Sequence, residues 1–382
     1  MNSHNKQEAW FTKPTWQILF AAIRQQPLPQ DPAEVDGFLP FLEHHRLVPW
    51  FYRESLKRAW VDLHKPFWQV LKQRQDFYQR RALTQLAALI EIQKIFDQHQ
   101  IDMLTIKGVV LSQQLYGDIA VRQSKDVDIL IPQAQVWQAH ELLLLLGYKL
   151  YQAKVDIKQQ DLPFILKHLK DLEYIHPVTK VNIELHWQLQ FKMKWFLLDQ
   201  KIAWLNRQSI VVDGYIFQTL SDVDHMVYLS YHGSRHAWLR GQWTMDLVRF
   251  MQYPPSRESR LLSQATNYQC RRPWLIGSAL VRFFLNQPYS MQEQMDPKLP
   301  WLLKQASNGM NECWWTKWGG HQYVYIANIS PFGFDGRSLF GSLTVFYAQV
   351  WLRNGWSKRW FWIHIGLEPF RLCYRLWLKI RG

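Results

Sequence analysis

Along the first hundred residues apolar positions recur at helical spacing. Leu83, Leu86, Leu89, Ile92 and Phe96 fall three or four apart, which predicts a helix from about Asp76 to Gln98 with one apolar face directed at a sheet. Pro27, Pro29 and Pro32 with Asp31 divide the region before it, and Pro66 is expected to interrupt it again. The pattern then changes. Met103, Leu104 and Ile106, and further on Ile129, Leu130 and Ile131, form two short apolar runs on either side of a short helical stretch ending at Tyr116-Gly117, as expected of two strands and a connection. Val136, Ala139, Leu142, Leu143 and Leu146 again have helical spacing, and Gly147 has the place of a C-terminal cap. The unbroken run Leu142 to Leu146 predicts a helix buried around most of its circumference, followed by a strand from Tyr148 to about Ile157.

Leu172 to Ile175 and Val181 to Trp187, separated by His176-Pro177-Val178-Thr179-Lys180, read as a hairpin. In its second strand Val181, Ile183, Leu185 and Trp187 take one face, and Asn182, Glu184 and His186 the other. From Ser221 on, Val223, Met226, Val227 and Leu229 return to helical spacing. The expected class is α+β, a small mixed sheet with flanking helices. Its regions are a helical N-terminal lobe over 1–100, a core over 101–205, and a helical C-terminal region over 206–382 with an aromatic and basic tail.

The chain has 382 residues, with 45 Lys and Arg against 31 Asp and Glu, a formal charge of +14. That balance favours anionic partners such as nucleotides, nucleic acid or acidic lipid. An apolar leader and a run of eighteen apolar residues are both missing, so a cytoplasmic protein is expected. Cys270, Cys313 and Cys373 lie too far apart for a disulfide framework or a zinc pattern and fit a reducing compartment.

The chemistry concentrates between Lys107 and Asp128. Gly108 after the first strand permits close backbone approach to phosphate oxygens, and Lys107 and Arg122 add positive charge. Asp126 and Asp128, two apart at the start of the second strand, are expected to share a face and to suit hard divalent cations. These are the components of phosphoryl or nucleotidyl transfer. Glu184 and His186 point together from the hairpin. His232 and His236 are four apart, but Gly233 weakens the helix between them and no third ligand is evident.

Lys107-Gly108, Tyr116-Gly117, Arg122, Asp126-x-Asp128 and Glu184-Leu185-His186-Trp187 together resemble a family of bacterial nucleotidyltransferases within the DNA polymerase beta-like superfamily. The element His232-Gly233-x-x-His236-x-Trp238-x-Arg240 extends the resemblance over roughly residues 40 to 250. It implies a metal-dependent enzyme that moves a nucleoside monophosphate from a nucleoside triphosphate to an acceptor and releases pyrophosphate. By that resemblance Asp126, Asp128 and Glu184 are the catalytic carboxylates and hold two Mg²⁺ ions. Lys107, Gly108, Arg122 and Ser124 take the nucleotide, while His186, His232, His236 and Arg240 line the cleft. The superfamily places Gly-Ser or Gly-Gly at the phosphate turn and this chain has Gly108-Val109, so the helix that follows is expected to supply backbone amides instead. The rival reading is a non-catalytic accessory protein of a surface-polysaccharide or peptide-modification pathway. The acceptor is not written in the sequence.

From Thr344 to Gly382 five tryptophans are interleaved with seven Lys and Arg against the single acid Glu368. Three readings fit this composition: a tryptophan-rich helical subdomain, contact with an anionic membrane surface at the inner face, and single-stranded nucleic acid binding.

Overall fold

The computed structural model describes residues 10–190, 198, 200–252 and 258–312. Helices α1 (Pro14–Ile23), α2 (Phe38–His45), α3 (Val48–Lys57) and α4 (Pro66–Gln98) precede the first strand. Pro66 opens α4 instead of interrupting a helix there, since proline is tolerated in the first helical turn, where its missing N–H has no intrahelical partner in any case. Leu86, Leu89, Ile92 and Phe96 are buried as expected, but Leu83 is 52% exposed and its neighbour Ala82 is buried in its place, so Leu83 lies off the covered face.

Among the described residues seven strands follow: β1 (Leu104–Thr105), β2 (Val127–Leu130), β3 (Lys149–Leu150), β4 (Asp171–Ile175), β5 (Asn182–His186), β6 (Gln208–Val212) and β7 (Tyr215–Thr219). They form one mixed sheet in the order β3-β4-β5-β2-β1-β7-β6. β1 runs parallel to β7 with Thr105 opposite Thr219, whereas β3–β4, β4–β5 and β6–β7 are antiparallel. The α+β expectation holds. The strand expected from Tyr148 to Ile157 contracts to Lys149–Leu150 and gives way to turns.

The intervening helices are α5 (Gly108–Tyr116), α6 (Val136–Leu145), α7 (Leu162–His168) and α8 (Gln200–Leu205). After the sheet come α9 (Asp222–Arg235), α10 (Gly241–Met251), α11 (Glu258–Asn267), α12 (Arg271–Phe284), α13 (Met291–Met295) and α14 (Leu299–Glu312). Only one side of α6 is covered: Leu142 and Leu143 are buried, but Leu144 and Leu145 are 44% and 75% exposed, contrary to a helix buried all round. Gly147 caps it at φ +85° as its position predicts. Among the described residues the region after 205 carries helices between Asp222 and Glu312, but opens with the β6–β7 hairpin, which apolar spacing alone passes over. Asp213 and Gly214, at φ 48° and 79°, make the turn that an Asp-Gly pair favours between strands.

The described residues divide into two compact units, one drawn from 10–91, 104–127, 198, 200–252 and 258–312, the other from 92–103 and 128–190. In the first unit Phe11, Trp16 and Phe20 of the N-terminal stretch pack with Phe283 and Phe284 at the end of α12, at ring separations of 5.2 to 6.5 Å. Arg24 donates to the carbonyls of Phe284 and Phe283 at 2.9 and 3.0 Å, closing the C-terminal end of that helix. In the second unit Ile129, Leu130, Ile183, Leu185, Trp187 and Tyr174 are buried, and Tyr174 meets His140 of α6 through its hydroxyl at 2.8 Å. Among the described residues no helix is long and apolar enough to cross a membrane. Cys270 is buried. Cys313, Cys373 and the whole aromatic and basic tail lie outside the described residues.

Candidate functional site

In the first unit the Lys107-Gly108 turn is fixed from both sides. Thr219 of β7 donates its hydroxyl to the Thr105 carbonyl at 2.6 Å, and Thr105 returns a bond to the Gln218 carbonyl at 3.1 Å. The next carbonyl, Ile106, accepts from Nε2 of His225 on α9. His225 is fully buried, and burial pushes it down to about 4, so the ring is neutral and holds its proton for that carbonyl. Lys107 occupies the N-cap of α5. Gly108 has φ +72°, which L side chains rarely adopt, and this conformation brings the turn against Ser124 and Asp126. A Cβ at Gly108 would lie 3.7 Å from the Asp126 carbonyl and 3.9 Å from Ser124 Oγ.

The segment leading to Asp126 is held by side chains from remote elements. Ser112 Oγ donates to the Asp118 carbonyl at 2.6 Å and accepts from Arg122 N at 2.9 Å. Gln242 of α10 donates to the Gln123 carbonyl at 2.9 Å, and Arg81 of α4 to that of Lys125 at 2.6 Å. Ser124 donates to the Asp126 carbonyl at 2.6 Å, so its hydroxyl shapes the backbone in this state. Arg122 is buried, with Nε 3.1 and 3.0 Å from the two oxygens of Asp246 on α10. Burial pushes Asp246 up to about 6, against the opposing pull of Arg122.

Arg46 has three further arginines, Arg240, Arg122 and Arg81, and the Asp126 carboxylate within electrostatic reach. Burial holds Arg46 below its usual range, with a further contribution from Arg240 and smaller ones from Arg122 and Arg81, while the Asp126 carboxylate opposes them. Arg240 is bound to the His44 carbonyl and lies 3.1 Å from His44 Nδ1. This basic cluster suits a polyanion. Arg46 and Arg81 were not legible as members of it, because Arg46 caps the end of α2 and Arg81 sits on α4, both remote in sequence from the motif.

Contrary to a weakening at Gly233, α9 runs through it to Arg235, and His232 and His236 come together with ring centroids 4.8 Å apart, both rings lying against Trp243 at 5.3 and 5.4 Å. Gly233 has a packing reason. A Cβ there would meet three ring atoms of Trp238 at 2.6 to 2.8 Å. Among the described residues neither histidine joins a group of three ligand-type side chains.

That group forms in the second unit. Asp128 lies within β2 and is 1% exposed; Asp126 precedes the strand, in a bend, and is half-buried. The β4–β5 register sets Glu184 opposite Glu173 and His186 opposite Asp171. His186 Nε2 lies 3.3 Å from Asp128 Oδ1 and 3.3 Å from Glu184 Oε2. Its Nδ1 lies 3.4 Å from Asp171 Oδ2 and 3.4 Å from Lys170 Nζ, and Lys170 is ion-paired with Asp171. Ligands at about 2.1 Å from one ion, at octahedral to tetrahedral angles, are about 3.0 to 3.4 Å apart. The donors of Asp128, Glu184 and His186 fit that spacing around His186 Nε2, and all three lie within 4.8 Å of one another. Asp171 and Lys170 escaped the sequence reading. The signal was available in the strand pairing, since Asp171 begins the strand opposite the one that carries His186.

Fold and site define an α+β protein with a mixed sheet, a buried carboxylate and imidazole group suited to a divalent cation, and a glycine turn opening a helix. The model of a family described as uncharacterised nucleotidyltransferase matches residues 31–286, more than half of the chain, and the chain belongs to that family. A comparison with curated proteins finds no match.

Proposed function

We propose that the protein transfers a nucleoside monophosphate from a nucleoside triphosphate to an acceptor hydroxyl, phosphate or amine, with release of pyrophosphate. The observation that carries this reading is the buried Asp128–Glu184–His186 group within a chain of a nucleotidyltransferase family. Asp126 and Asp128, joined by one residue, are the proposed ligands of two Mg²⁺ ions, and Glu184 completes the set on the acceptor side. Bound there, divalent cations polarise the phosphate and lower the pKa of the attacking group.

The protein's own groups do the rest. Lys107 and the α5 amides hold triphosphate oxygens, because a helix N-terminus favours anions. Gly108 supplies the backbone conformation that lets the phosphate approach. Arg122, fixed by Asp246, contributes positive charge from a set position, and Ser124 keeps the Asp126 backbone in place. Arg240 joins the same basic cluster, while His232 and His236 act through their packing on Trp243. The test is calorimetric titration with each nucleoside triphosphate, with and without Mg²⁺. Metal-dependent binding of at least one is expected; nucleotide turnover by a doubly substituted Asp126→Asn, Asp128→Asn protein at the wild-type rate would overturn the assignment.

A further inference from the structure

The three carboxylates account for the cation sites of the proposed reaction, but they leave His186 without a role. It is 2% exposed. A residue of this size and polarity is buried at a cost unless both ring nitrogens are satisfied. Each of them is. Nε2 is flanked by Asp128 Oδ1 and Glu184 Oε2 at 3.3 Å. Both of these neighbours are acceptors, so they need a cation or a proton between them and the ring. On the other side, Asp171 Oδ2 and Lys170 Nζ, ion-paired with each other, each stand 3.4 Å from Nδ1. When Nδ1–H is donated to Asp171, the lone pair of Nε2 faces Asp128 and Glu184. A carboxylate on the far nitrogen is the usual means of orienting a metal-bound imidazole and raising its donor strength.

We propose that His186 is a nitrogen ligand of the cation held by Asp128 and Glu184, that Asp171 is its positioning residue, and that this position therefore prefers Mn²⁺ to Mg²⁺. The inference rests on the proposed function only for the presence of a divalent cation. Mg²⁺ takes hard oxygen ligands in near-ideal octahedra, whereas imidazole suits first-row transition ions, and Mn²⁺ accepts a mixed set of carboxylate and imidazole ligands. The two 3.3 Å separations from Nε2 agree with an ion shared by the ring and the neighbouring carboxylates. Lys170 keeps Asp171 an acceptor and offsets part of the negative charge at a centre where Glu173 stands opposite Glu184.

The test uses the full chain stripped of metal with a chelator and loaded with one equivalent of Mn²⁺. Pulsed electron paramagnetic resonance is expected to show a directly bound ¹⁴N, replaced by ¹⁵N when the protein is grown on ¹⁵N-histidine, a readout that needs no variant. His186→Gln should lose the nitrogen signal, and Asp171→Asn should keep it while binding Mn²⁺ about 10–100-fold more weakly. Excess Mg²⁺ should displace Mn²⁺ more readily from His186→Gln than from the wild type. Bound Mn²⁺ without nitrogen coupling, coupling unchanged by labelled histidine, or no bound Mn²⁺ would each overturn the inference. Mn²⁺ without nitrogen coupling would leave nucleotidyl transfer standing. Nitrogen coupling in a protein without nucleotide turnover would do the reverse.

Discussion

Replacing His225 with glutamine tests how the Lys107-Gly108 turn is held. His225 is fully buried, its Nε2–H serves the carbonyl of Ile106, and the turn residues Lys107 and Gly108 follow at once. Burial is the largest cause of its descent from 6.5 to about 4; Arg122 and Lys107 act in the same direction, and the Ile106 bond and Asp222 oppose them. The charged form is thus disfavoured in the folded state. Stability from this group is complete above pH 6.5 and is lost as pH falls from 6.5 through 4. At about 1.4 kcal/mol per pH unit, the loss is about 2 kcal/mol by pH 5 and about 3 kcal/mol by pH 4. Glutamine keeps an amide donor near the position of Nε2 but does not titrate. Urea denaturation of both proteins at pH 7.5 and pH 5 gives the comparison. The advantage of wild type over His225→Gln should shrink by about 2 kcal/mol between those values. His225→Leu, which leaves the buried Ile106 carbonyl without its donor, should cost about 1–3 kcal/mol at pH 7.5 and raise KM for nucleotide more than it lowers kcat. Parallel stability curves for wild type and His225→Gln would refute a buried neutral histidine at this position.

The other predictions concern packing and charge. Arg122→Met leaves the Asp246 carboxylate buried without its partner; stability measured by urea should fall by about 3–5 kcal/mol at pH 8, and by less below about pH 6, where Asp246 takes up a proton. Gly233→Ala drives a methyl into the Trp238 ring, and thermal denaturation should show a loss of about 1–3 kcal/mol despite the better helix former. Gly108→Ala meets no clash but must adopt φ +72°, so it should cost about 1–2 kcal/mol in a thermal melt and weaken triphosphate binding in calorimetry. Asp126→Asn with Asp128→Asn should lower nucleotide turnover by at least about 10²-fold while the fold, followed by circular dichroism, persists.

Several features of this protein are properties of short stretches and were legible for that reason. Strand side chains alternate, so Glu184 and His186 had to share a face once β5 existed, and the apolar face of Val181, Ile183, Leu185 and Trp187 required that strand. The Lys107-Gly108 turn before α5 and the glycine stop after α6 follow from backbone preferences of single residues. Which leucine of a run faces water does not. Leu142 to Leu146 are alike in sequence, and only the position of α6 against its neighbours leaves Leu145 exposed and Leu143 buried. The same holds for partners. Asp246 reaches Arg122 across 124 residues, His225 reaches Ile106 across 119, and Asp171 meets His186 through strand register. No local periodicity encodes such pairs. They exist because folding brings buried polar groups from distant segments to the same place, where each must find a counterpart. The sequence alone determined on which face of a strand Glu184 and His186 stand; the tertiary structure decided what holds them there.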